Sequence, residues 1–126
     1  MGVLAIHSNE LRKDLVGLAY YGMFALQHRG QESTGFTVCD TISENRVRHV
    51  TLKKPGLVAD VFSLKDLNSY TGNILIGHVR YGREGYSSMR NCQPIGGETA
   101  LGKVSIAHNG DLSNYKELKQ ELMENG

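Results

Sequence analysis

The sequence NILIGHV, residues 73–79, is the most strand-like segment of the chain. It is rich in aliphatic and β-branched residues, and apolar side chains occupy both of its alternating faces. A strand that is apolar on both faces is typical of the interior of a sheet, where both faces are covered. The sequence therefore predicts a buried central strand here, around which the other elements can be placed.

The other segments predict an α+β fold in one domain, residues 1–126, with a largely antiparallel sheet. Four more strands are expected, at residues 2–7, 34–40, 46–53 (the hairpin partner of 34–40) and 103–108, the last of them buried. Residues 96–103 predict a turn. A helix over 14–28 is apolar around nearly its whole circumference, which predicts burial on more than one side. One or two helical turns follow in 55–67, and a last helix begins at a capping box of Asn114 and Glu117.

Composition excludes several classes of function. The 126 residues are 40% hydrophobic and 21% charged, which is typical of a folded domain, and the net charge of +1 gives no basic surplus for nucleic acid. No apolar run is long enough to span a membrane, and the start does not have the features of a signal peptide. Cys39 and Cys92 are far apart in the sequence, with no CxxC motif and no histidine pairing, so we expect a reduced, cytoplasmic protein. His28, His78 and His108 show no metal spacing either, and we expect them to make structural hydrogen bonds.

Two positions that follow predicted strands could carry chemistry. Arg80 enters a long polar loop, where its guanidinium could hold a carboxylate through two parallel hydrogen bonds, although a surface arginine is the plainer interpretation. Asn109-Gly110 is either a simple turn or an oxyanion site made from an amide side chain and a backbone N–H. Cys92 could be a nucleophile, but free cysteines are more often buried and inert. Singly, none of these positions identifies a function.

Several motifs occur together in a fixed order. They are GVLAI (2–6), YYGMFALQHRGQES (20–33), KPGLVADVF (54–62), GHVRYGREGYSS (77–88), NCQPI (91–95) and IAHNGDLSN (106–114). In this order and spacing they resemble the class II glutamine amidotransferase domain of the N-terminal-nucleophile hydrolases, most closely the amidophosphoribosyltransferase branch. The resemblance covers the whole chain and implies the N-terminal part of an αββα sandwich.

The resemblance implies a role for each matching residue. In the family a first-residue cysteine attacks the side-chain amide of glutamine, and its own α-amine acts as the base. Met1 stands in the slot of that nucleophile. Arg80 matches the residue that binds the α-carboxylate of glutamine, and Asn109 and Gly110 match the two oxyanion donors.

Further residues are assigned around this centre. The resemblance places Tyr81 and Arg83 with Arg80 in substrate binding, and it makes Arg29 and Glu32 supporting structure behind the site. Glutamine is the expected small-molecule ligand. No cofactor or metal is expected in this chain, because Mg²⁺ and phosphoribosyl pyrophosphate would belong to a separate phosphoribosyltransferase domain that receives the ammonia.

Three departures from the family pattern bear on activity. Met1 has a thioether that cannot form a thioester, Arg83 stands where small hydroxyl residues are usual, and the chain stops at Gly126, before the rest of the sandwich and the aspartate that holds the substrate's amino group. We therefore expect the chain as written to be inactive, and a pseudoenzyme that acts as a regulatory or assembly module is the alternative. An incomplete sandwich would expose apolar surface, so we expect a homo-oligomer or a completing C-terminal portion.

Overall fold

A computed structural model of the protein describes residues 1–43, 48–82 and 88–126. Its strands are β1 (Gly2–Arg12), β2 (Ser33–Asp40), β3 (Arg48–Pro55), β4 (Gly72–Arg80), β5 (Ile95–Thr99) and β6 (Gly102–Ile106). Its helices are α1 (Leu15–Ala25), α2 (Val58–Val61), α3 (Leu64–Ser69) and α4 (Tyr115–Glu124). The architecture is α+β, as the sequence predicts.

The segment NILIGHV forms the interior of the main sheet, which confirms the prediction made from it. The four strands of this sheet follow the order β1-β4-β2-β3, and all neighbours are antiparallel. β4 therefore has a hydrogen-bonded partner on each side. Val79 pairs with Gly2 of β1, and His78 pairs with Gly35 of β2. The first residues of the chain thus lie against the end of the central strand.

One face of this sheet is covered by α1. Successive residues of a strand point to opposite faces, so Leu75 and Val79 share a face, and both are buried in the main core. α1 packs on β4 and β1, with α2 and α3 beside it. The core consists of apolar residues from these elements, namely Leu15, Val16, Ala19, Met23, Phe36, Val38, Val58, Phe62, Leu75 and Val79.

The opposite face of the sheet carries the segment that leads into the β5-β6 hairpin. Lys53 of β3 donates from Nζ to the carbonyl oxygens of Cys92 and Pro94, at 2.8 and 2.9 Å. The hydroxyl of Ser105 lies 3.0 Å from His49 Nε2. Among the described residues, the ladder hydrogen bonds of the hairpin join β5 to β6, and polar side-chain contacts connect the hairpin to the main sheet.

Several element boundaries differ from the sequence predictions. β1 continues to Arg12, with a shift in register after His7. α1 ends at Ala25, and a turn of 3₁₀ helix occupies Gln27–Arg29. The outer side of α1 is open, with Tyr21 72% exposed, so the predicted burial on more than one side is wrong for this chain. The described elements that pack on the helix, the sheet and two short helices, cover its other side.

The C-terminal predictions need larger corrections. Residues 103–108 do not form a buried strand, because β6 ends at Ile106 and is largely exposed. Its partner among the described strands is β5, which occupies part of the predicted turn. Asn114 precedes α4 but makes no side-chain capping bond, so the predicted capping box is wrong. A capping box is found instead at α3, between Ser63 and Asp66. Within the described ranges, no helix combines the length and apolar character needed to cross a bilayer.

Candidate functional site

Arg80 ends β4 on the face opposite α1, where its guanidinium Nη1 donates to Oε1 of Glu32. The two side chains are only 19% and 12% exposed, so this ion pair is largely shielded from water. The backbone joins the same two residues, since the Glu32 N–H donates to the Arg80 carbonyl oxygen at 2.9 Å. Glu32 is therefore a direct partner of Arg80 through both its side chain and its backbone.

The turn that carries Glu32 is pressed against β4. A Cβ atom at Gly30 would lie 2.6 Å from backbone atoms of Val79 and Arg80, so only glycine fits there without displacing the strand. This close approach requires the glycine of the HRGQES motif at this place. It also brings the preceding residue, Arg29, to the beginning of the chain.

Met1 and Arg29 hold each other through their backbones and one side chain. The amino group of Met1 donates to the Arg29 carbonyl oxygen, and Arg29 Nε donates to the Met1 carbonyl oxygen at 3.0 Å. The pairing of Gly2 with Val79 places Met1 next to Arg80 along the strands. Because pleated strands alternate, Met1 lies on the same face as Arg80, opposite α1.

His78 lies on this same face, two residues before Arg80. It is 1% exposed, and its Nε2 lies 3.0 Å from the carbonyl oxygen of His108. Burial lowers the pKa of His78, the hydrogen bond to His108 opposes that shift, and the positive charges of the chain's amino terminus, Arg80 and His108 lower it further. His78 is therefore neutral at neutral pH and lies near all three of these groups.

Asn109 and Gly110 follow His108 directly, in a segment without regular secondary structure. The His108 N–H donates to Oε1 of Gln93 at 2.7 Å, which adds a second attachment. Within the described residues no hydrogen bond joins Asn109 or Gly110 to Arg80. The link between the two regions runs through His78.

The arrangement offers donors for an anion and a fixed amine nearby. A guanidinium has five N–H donors, and Glu32 is bonded to one of the nitrogens of Arg80, so a small carboxylate could use the others. The Met1 amino group is held in place by its hydrogen bond to the Arg29 carbonyl oxygen, whereas the thioether of Met1 has no proton to lose.

Among the described residues, the side chains of Tyr81 and Cys92 make no hydrogen bond to this cluster. Tyr81 is 67% exposed. Arg83, assigned to substrate binding, lies outside the described residues. Cys92 is buried, and its thiol contacts the Ser88 carbonyl oxygen at 3.5 Å, which fits a structural cysteine. In the ranges that the structure describes, no group of three His, Cys, Asp or Glu residues could hold a metal ion.

Sequence reasoning missed two features of this region. The spacing of His78 and Arg80, two residues apart on one strand, could have indicated that they share a face. Nothing in the sequence indicates that Gln93 reaches His108, since the two are fifteen residues apart and joined by a hairpin.

Comparison with known proteins gives one consistent result. No protein-family model matches the sequence. The amidophosphoribosyltransferase of Methanothermobacter thermautotrophicus is 43% identical over 125 residues, which are 99% of this chain and 25% of the relative. A solved structure described as the allosteric regulatory enzyme of purine biosynthesis matches all of this chain with a TM-score of 0.85 and 35% identity, over 26% of its own length.

A second solved structure agrees with the first. Glutamine phosphoribosylpyrophosphate amidotransferase from B. subtilis, complexed with ADP and GMP, matches with a TM-score of 0.81 and 34% identity, over all of this chain and 25% of its own. The chain thus spans about a quarter of the length of the relatives it matches. By sequence and by fold, the chain is a homologue of the amidophosphoribosyltransferases, over a part consistent with a glutamine amidotransferase domain of the N-terminal-nucleophile type.

Proposed function

We propose that this chain is a glutamine amidotransferase domain of an amidophosphoribosyltransferase-like protein, which releases ammonia from glutamine for purine nucleotide biosynthesis. Arg80 binds the α-carboxylate of glutamine. The side-chain amide of Asn109 and the backbone N–H of Gly110 stabilise the negative charge that develops on the amide oxygen. Glutamine is the small-molecule ligand, and the ammonia passes to a phosphoribosyltransferase domain outside this sequence.

The observation that carries this proposal is the shared sheet face. Met1, His78 and Arg80 lie on the face of the sheet opposite α1, and His78 connects that face to the segment of Asn109. A carboxylate-binding cation and an adjacent fixed amine are the groups that a glutaminase needs next to its nucleophile.

The side chain at residue 1 determines whether this chain can carry out covalent catalysis. A thioether sulfur bears no proton and cannot form and release a thioester, so covalent turnover needs a thiol at this position. Neither Cys39 nor Cys92 replaces it, since Cys39 lies on β2 and Cys92 is buried, and neither has an α-amine beside it. We propose that this chain, with Met1 at its first position, does not hydrolyse glutamine.

A glutamine-like diazo-ketone tests the proposal. The chain with Met1 should acquire no covalent label, as measured by intact mass. A Met1→Cys variant with a processed, free cysteine terminus should acquire one label at residue 1. The same variant carrying Arg80→Lys is the matched control and should react at least about tenfold more slowly, because a bidentate carboxylate contact is lost. Equal labelling rates with Arg80 and Lys would contradict the proposed role of Arg80.

The thioether of Met1 also favours the second candidate, a pseudoenzyme with a regulatory or assembly role. Calorimetry with glutamine, using the chain and an Arg80→Ala variant, tests whether this domain binds the ligand through Arg80. Binding that needs Arg80, without ammonia release, supports a ligand-sensing domain. Ammonia release by the chain with Met1 would exclude it.

We further propose that the chain associates with itself or with a completing polypeptide. The outer side of α1 exposes three apolar side chains, those of Leu18, Tyr21 and Phe24. Apolar surface of this kind is often covered by a partner. Light scattering should give a mass above that of one chain, and a monomer at all concentrations tested would contradict self-association.

A further inference from the structure

The segment that carries Asn109-Gly110 is not positioned by any sheet. β6 ends at Ile106, α4 begins at Tyr115, and the residues between them form neither strand nor helix. In the part of the chain that the structure describes, β6 pairs with β5 and with no strand of the main sheet. Strand register therefore cannot fix the place of this dipeptide relative to Arg80, and other contacts have to do so.

Two hydrogen bonds hold the backbone of His108, the residue before Asn109, from both of its polar groups. Gln93 Oε1 accepts from the His108 N–H at 2.7 Å. His78 Nε2 lies 3.0 Å from the His108 carbonyl oxygen. Because a carbonyl oxygen can only accept, the proton of neutral His78 must be on Nε2, which fixes the tautomer of this buried ring.

Both anchoring residues are attached to one row of paired residues that crosses the main sheet, formed by His78, Gly35 and Lys53. His78 of β4 pairs with Gly35 of β2, and Gly35 pairs with Lys53 of β3. The carbonyl oxygen of Gln93 lies against Gly35 so closely that a Cβ there would be 2.2 Å from it. Lys53 in turn bonds the carbonyl oxygens on either side of Gln93, those of Cys92 and Pro94. The row thus supports both hydrogen bonds to His108.

We propose that His78 and Gln93 are positioning residues that clamp the backbone of His108 and thereby fix Asn109-Gly110 against the sheet face that carries Arg80. His78 donates from the sheet, and Gln93 accepts from the loop. Both residues act through the backbone of His108 in this proposal. The effect on glutamine chemistry rests on the proposed function, whereas the clamp itself does not.

Amide hydrogen exchange of the unliganded chain tests the clamp directly. Gln93→Met removes the acceptor with little change in length, and Gln93→Glu keeps an oxygen acceptor as the matched control. The His108 amide should exchange about fivefold faster in Gln93→Met than in Gln93→Glu, which corresponds to the loss of one net hydrogen bond. Amides of β2 should keep their protection in both variants.

His78 is tested by a second pair of variants. His78→Gln places an amide N–H near the position of Nε2 and should keep the Gly110 amide as rigid as in the parent, by ¹⁵N relaxation. His78→Phe removes the donor and should lower the Gly110 order parameter from about 0.85 toward about 0.6. Because His78 is buried, His78→Phe could fail to fold, and the Gln93 pair then decides alone.

The outcomes separate the two proposals. Equal His108 exchange in Gln93→Met and Gln93→Glu overturns the clamp. So does a loss of protection that extends through β2 and β4 as strongly as at His108, because it would indicate general damage. A confirmed clamp together with no diazo-ketone labelling of the Met1→Cys chain would leave the clamp standing and contradict the glutaminase proposal.

Discussion

The two faces of β4 have contrasting environments. On the α1 side, Leu75 and Val79 are fully buried among aliphatic and aromatic residues. On the other side, His78 and Arg80 contact a carbonyl oxygen and a carboxylate. Adjacent residues of one strand thus belong to an apolar core and to a polar cluster.

This difference indicates that one face of β4 stabilises the fold and the other carries the candidate site. The period of two in a strand places stabilising and reactive side chains within one residue of each other without mixing their environments. Substitutions on the α1 face should change the free energy of unfolding, and substitutions on the other face should mainly change the site.

The largest effect is expected in the core. Leu75→Ala should lower the free energy of unfolding by about 2–5 kcal/mol, because it removes apolar contacts and leaves a cavity. Ile76→Ala is the matched control, since Ile76 is adjacent, on the opposite face and only partly buried. In urea unfolding, Ile76→Ala should lower the free energy of unfolding by about half as much as Leu75→Ala, or less. Equal losses would show that the second face is as tightly packed as the first.

A smaller effect is expected at the ion pair of Arg80 and Glu32. Glu32→Ala should cost about 1–3 kcal/mol, because it leaves a mostly buried guanidinium without its carboxylate. In a double-mutant cycle with Arg80→Ala, the coupling energy should be at least about 1 kcal/mol. Additive losses would mean that the pair is not a unit and that Arg80 is held by its backbone alone.

The smallest effect concerns pH. The pKa of His78 is lowered by burial, so below the ordinary histidine value of about 6.5 the unfolded chain binds a proton that the folded chain does not. This contribution to stability is constant above about pH 6.5 and is lost as the pH falls from there toward the lower folded pKa, at no more than about 1.4 kcal/mol per pH unit. The parent should therefore lose more stability than His78→Gln between pH 7 and 5. Parallel pH profiles would contradict the assignment of a neutral, buried His78.

Some of the fold and site could be predicted from sequence, and the reasons are local. NILIGHV carries its own evidence for a central strand, because the apolar pattern covers both faces. Arg80 could be placed at a strand end by its position alone. The exposure of β6 could not be predicted, because the sequence pattern of its apolar residues is the same whether or not a second layer covers the strand.

The contacts that build the candidate site are of a different kind. Glu32 meets Arg80 across 48 positions, and Arg29 meets Met1 across 28. These contacts depend on the register of β1, β2 and β4, which no single segment determines. The capping box predicted at Asn114 is not formed. The sequence pattern permits such a cap, but the Asn114 side chain makes no capping bond.

The central claim is that residue 1, Arg80 and Asn109-Gly110 belong to one glutamine-binding site. The most direct measurement is the ¹H–¹⁵N spectrum of the Met1→Cys chain before and after reaction with the glutamine-like diazo-ketone. The account predicts that the attached group shifts the Asn109 side-chain amide, the Gly110 backbone amide and the signals of Arg80, while the outer side of α1 is unchanged. Shifts confined to residues next to the label, or a chain that does not react, would contradict it.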